Sequence, residues 1–158
     1  MKSLLTIVAF VLLSATGASA QPSPSLSETL QWLHSFTAAH GVIRVGQSFA
    51  GNDLTFRGCQ ATDMFTNDMK PNGSGITFSL RDLDPSMIQA SGWTGTTGTV
   101  EFRTTNDIPA IYWVDFGRKG DALGDFWAIN FDDVPGAERF SKALKHAVIL
   151  CGGKASTF

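Results

Sequence analysis

A chain of 158 residues with 12 basic and 14 acidic side chains suits one domain with a single core, and its slight acidity leaves no electrostatic footprint for nucleic acid. Twelve Phe and four Trp against one Tyr supply ample core material, while few charges and 16 Gly point to strands and turns. No long run of one charge marks a tail.

Residues 1–20, MKSLLTIVAFVLLSATGASA, combine Lys2, a mainly apolar run from Leu4 to Leu13, and the small residues Ala18, Ser19 and Ala20. That is the pattern of a secretory signal peptide cut after Ala20. The run is about ten residues, short of the roughly twenty that a membrane-crossing helix needs, so no stable membrane anchor is expected. Gln21 stands where a lipid-anchored bacterial precursor would carry cysteine. The exported chain of 138 residues would hold 11 basic and 14 acidic residues, a net charge of −3. Its expected location is periplasmic or secreted. In such an oxidising compartment Cys59 and Cys151 are the only possible internal pair. Joining them closes a loop of 93 residues, a constraint valued at roughly 4 to 5 kcal/mol by chain entropy.

A short linker, 21–25, leads into a single globular domain over 26–154, with a tail at 155–158. Leu26, Leu30, Leu33, Phe36 or Thr37, and Ala39 or His40 recur at helical spacing, Ser25 and Glu28 form a capping box, and Gly41 is a natural stop, so 26–40 is read as helix. The period then changes to two. Strands are expected at VIRVGQSF, around Leu54 and Phe56, over Ile76 to Leu80, from Met87, over Val100 to Thr104, at AIYWVDF and at DFWAINF. KPNGSG (70–75), SGWTGTTG (91–98) and GRKGDALG (117–124) carry turn chemistry. With no helical pattern between consecutive strands, a parallel sheet built on crossovers is not expected. The last element starts near Asp132, Asp133 and Pro135, and Ala137, Phe140, Leu144, Ala147 or Val148, and Cys151 step round one face. The expected fold class is α+β: an N-terminal helix, a six- or seven-stranded antiparallel sheet or partly closed barrel, and a C-terminal packing helix. Cys59 falls out of phase with Leu54 and Phe56, so a bulge at Gly58 is expected to turn it inward.

FSLRDLDPSMI (78–88) and AERFSKALKHAVILCGGK (137–154), with GCQAT (58–62) as a weaker third pattern, resemble segments of a group of bacterial exported or hypothetical proteins with no assigned activity. The resemblance implies a small stand-alone or terminal domain and transfers no catalytic residue. The strand number with a closing helix is also similar to pleckstrin-homology-type barrels, a likeness of fold alone.

Few residues suggest chemistry. Asp82 and Asp84 in RDLDPS lack the later oxygen ligands of a calcium loop, because Pro85, Ser86, Met87 and Ile88 follow. Turn formation, with Asp side chains on nearby amides, is the better reading. Asp132 and Asp133 read as helix caps. His34 and His40 are six residues apart on different faces of one helix, so they make no zinc pair. His146 precedes Cys151 by five residues, a helical offset of about 140°, so their side chains diverge. A surface role complementing the helix dipole suits His146. Neither a nucleophile elbow nor a phosphate loop is present. The sequon at Asn72, Gly73 and Ser74 reads as a turn in a bacterial protein. Among the aromatic residues Trp113, Trp127, Phe126 and Tyr112 suit a core, whereas Trp93 stands alone in a Gly, Ser and Thr loop and is the candidate contact for a ligand or partner.

No metal or cofactor is implied. The expectation is an exported, non-catalytic binding or accessory module for an unknown protein or small molecule. The alternatives are an enzyme drawing on His146, Asp82 or Asp84, and an apolar or lipid-like ligand held inside the barrel.

Overall fold

The computed structural model describes residues 23–157 apart from 46–47, 68–69, 93–94 and 116–117, and side chains outside 43–50 and 66–73. Helix α1, Leu26–His40, begins at the expected capping box: Glu28 N donates to Ser25 Oγ, and Ser25 N donates to Glu28 Oε2 at 2.8 Å. Its last turn ends where the Gly41 amide donates to Thr37 O, and the chain enters β1, Gly41–Val45. Strands β2, Ser48–Arg57, and β3, Gln60–Asn67, follow as a hairpin, then β4, Lys70–Ser79. Short 3₁₀ turns at Leu80–Asp82 and Pro85–Met87 lead to β5, Gln89–Gly92. The remaining strands are β6, Gly98–Arg103, β7, Ile111–Asp115, β8, Arg118–Gly124, and β9, Phe126–Phe131, before helix α2, Val134–Leu150.

All strand pairs are antiparallel, in the order β5-β6-β9-β1-β2-β3-β4-β7-β8, and the sheet curls into a half-barrel. The curl is measurable from rings that meet across it. Phe78 of β4 and Phe102 of β6 lie 4.9 Å apart although four strands separate them in the sheet. Below them the 3₁₀ turns cross from β4 towards β6, pinned by Asp84 N donating to Arg103 O and by a bridge between Leu83 and Thr104.

Among the described residues nine strands replace the six or seven expected. The two unforeseen ones are β3 and β8, and neither offers an alternating apolar signal: β3 has Asp63 at a core position, and β8 is an exposed edge. KPNGSG and most of GRKGDALG are therefore strand rather than turn, because pairing with β3 and β7 outweighs their local preference. The sequon Asn72–Ser74 lies within β4. VIRVGQSF divides between β1 and β2, and the strand expected from Met87 starts at Gln89, after a 3₁₀ turn capped by Asp84.

The two helices close the concave side. Phe36 of α1, Phe131 of β9 and Phe140 of α2 meet with ring centroids 4.7 to 6.4 Å apart. The stripe foreseen on α2, including Ala137, Phe140, Leu144, Ala147 and Val148, is its buried face. Close approach fixes Gly98, where a Cβ would lie 2.6 Å from Ala137 Cβ and closer still to Asp133 O. Asp133 caps α2 by accepting from Gly136 N.

Cys59 and Cys151 are joined, with sulfurs 2.08 Å apart, tying the end of α2 to the β2–β3 hairpin. The inward turn of Cys59 needs no bulge. Arg57 pairs with Gln60, so Gly58 and Cys59 are the two-residue loop itself, with Gly58 at φ +58. A left-handed conformation there is easiest for glycine.

Candidate functional site

Strand register places the concave side chains in rows. One row runs Asn52, Phe65, Ser74 and Asp115 across β2, β3, β4 and β7; the next runs Leu54, Asp63, Ile76 and Trp113; a third, Phe56, Ala61, Phe78 and Ile111, is wholly apolar. Polarity thus rises toward one end of the half-barrel. At that end Phe65 stacks on Trp127 of β9, centroids 5.8 Å apart and planes 11° apart, and meets Trp113 at 6.2 Å with a 58° tilt. All three rings are half-buried and pack against the core. They form an aromatic wall with one side on the core and some surface left to solvent.

Next to these rings on the same face lies a buried polar floor. Asp63 has no exposed surface and Asn52 is 5% exposed. Asn52 Nδ2 reaches Asp63 Oδ2 at 3.4 Å, while Asn52 Oδ1, Asp63 Oδ1 and the Trp127 indole Nε1 have no hydrogen-bond partner. Burial, and then the charge of Asp53, push the Asp63 carboxyl up to about 7. Near neutrality it is therefore divided between an acid that donates a hydrogen bond and a carboxylate that only accepts. Ser74 Oγ donates to Asp115 Oδ1 at 3.1 Å beside the wall. The arrangement suits retention of an apolar body by aromatic contact, with unmet hydrogen-bonding capacity under it.

The residues singled out in the sequence go to different places. Trp93 lies outside the described residues. Trp113 and Trp127 join the wall, whereas Phe126 and Tyr112 point to the other face and carry Arg103 and Lys119 over their rings at 4.9 and 3.3 Å. His34 Nδ1 donates to Leu54 O at 2.8 Å, His40 pairs with Asp132 at 3.0 Å, and His146 Nε2 donates to Pro24 O at 2.9 Å. Asp82 is exposed, and Asp84 is buried. Asp84 Oδ1 accepts from the Ser86 amide and hydroxyl, and its Oδ2 accepts from Ser156 N at 2.7 Å. Burial opposes its charge, but the hydrogen bonds from Ser156 and Ser86 outweigh it and hold the carboxyl at about 2. His146, Asp82 and Asp84 are thus not hydrogen-bonded to one another. Among the described residues no cluster of three His, Cys, Asp or Glu side chains is arranged to hold a metal.

The sequence reading passed over Asn52, Asp63 and Phe65. Their only signal was the alternation Ala61, Asp63, Phe65, in which a carboxylate occupies a core position. No protein-family model, curated protein or solved structure matches the chain, so the resemblances noted in its sequence assign it to no family.

Proposed function

We propose that the chain is a non-catalytic binding module that holds a small, largely apolar ligand against Phe65, Trp113 and Trp127 in the half-barrel. The observation that carries this reading is the convergence of those three rings, from β3, β7 and β9, over the unsatisfied pair Asn52 and Asp63. Each aromatic contact to a ring-bearing ligand adds about 0.5 to 1.5 kcal/mol beyond burial of area. A hydroxyl or amide on the ligand finds hydrogen-bonding groups in the floor once the wall rearranges to admit it. Work outside the cytoplasm, periplasmic or secreted, accords with the cysteine pair and with the absence of any described helix long and apolar enough to cross a membrane.

Native mass spectrometry of the protein purified from its own host tests the reading. A mass beyond that of the polypeptide, lost on denaturation and reduced in a Trp113→Ala variant, is the expected result. A bare polypeptide mass, together with no uptake from a panel of neutral aromatic compounds, would sink it.

A further inference from the structure

A second concavity, about 940 Å³, lies between the two helices. Glu28 and Trp32 of α1 face Arg139, Lys142, Ala143 and His146 of α2 across it, each set at the three- and four-residue spacing that shares one helix side. The helices run antiparallel here, since His146 meets Pro24 at one end while the Arg139 guanidinium lies 5.3 Å over Phe36 at the other. Trp32 stacks on Phe36 at 4.6 Å and leaves 39% of its surface exposed.

Charge is distributed unevenly in this groove. Glu28 is turned back on its own cap, its Oε2 accepting from Ser25 N and Oγ at 2.8 and 2.6 Å. Among the described residues neither Arg139 nor Lys142 is ion-paired. A chain of net charge −2 thus holds two exposed cations beside an exposed indole. The volume is that of a single small-molecule site.

We infer that this groove binds an amphipathic carboxylate, its head between Arg139 and Lys142 and its apolar body along Trp32 and Ala143. Charge-assisted hydrogen bonds from the two cations would fix the head, and the indole would supply the apolar contact. The site is separate from the aromatic wall and stands whether or not that wall holds a ligand.

The test titrates the protein with octanoate, octanol and octylammonium, following affinity by calorimetry and contact by the tryptophan indole resonances in NMR. Octanoate is expected to move the Trp32 signal and to bind at least about tenfold more tightly than the other two. Lys142→Glu, on an exposed position, should weaken it by about tenfold, and Lys142→Arg should retain it, with thermal unfolding confirming that both variants fold. Equal affinity for the three compounds overturns the proposal. So does absence of binding, indifference to Lys142→Glu, or movement of Trp113 and Trp127 in place of Trp32.

Discussion

Phe65 and Trp127 stack at 5.8 Å although β1 and β2 separate their strands in the sheet. A flat sheet would keep these rings apart, so their contact belongs to the curl and to the concavity it makes. Truncating either ring removes a contact that holds the two walls together. Phe65→Ala is expected to cost about 2 to 3 kcal/mol, less than a fully buried Phe, and Phe65→Leu about 1. Urea unfolding followed by circular dichroism measures both, and an unchanged midpoint for Phe65→Ala would contradict the closing role.

The cysteine pair ties α2 to the β2–β3 hairpin. Labelling of the unfolded, unreduced protein should find no free thiol, and two reactive thiols would rule the bond out. Replacing both cysteines by serine should lower stability by about 4 to 5 kcal/mol if chain entropy dominates, a large part of what a small domain has.

Asp63 gives a pH dependence of unusual sign for an acid. Its carboxyl titrates at about 7 in the fold against 3.8 when exposed, so the folded state holds the extra proton between those values. Stability from this group is complete below about pH 4 and is lost as pH rises to 7, by ~4 kcal/mol in all. Asp63→Asn keeps the shape without the charge. Its stability relative to the parent protein should therefore rise between pH 4.5 and pH 8, and parallel curves from denaturant midpoints would contradict the burial of a titrating group.

Asp84 behaves in the opposite direction. Held at about 2 against 3.8, it contributes stability above pH 4 that is lost as pH falls towards 2. Asp84→Ala removes the acceptor for Ser86 and Ser156 and should cost about 1 to 3 kcal/mol near neutrality. Hydrogen exchange at the Ser156 amide should quicken in the same variant; unchanged protection would mean that the C-terminal segment is held by other contacts, such as the bond from Thr105 Oγ1 to Lys154 O.

The helices, their caps and the apolar stripe of α2 were legible because each rests on local spacing: Ser25 with Glu28, Asp133 before Pro135, Phe140 with Leu144. The strands β3 and β8 were not, because their stability comes from neighbours rather than from their own pattern. The candidate site was hidden for the same reason. Phe65 and Trp127 are 62 positions apart in the chain and meet only through the curl. Asp63 carries no local mark of a core position, and only the register places it between Leu54 and Ile76.

Binding inside the half-barrel is tested most directly by the indole NMR signals of the four tryptophans during titration with 2-naphthol, a neutral ring with one hydroxyl. The signals of Trp113 and Trp127 should shift together and saturate, with Trp32 unmoved. A shift confined to Trp32, or none at any tryptophan, would contradict a ligand site on the aromatic wall.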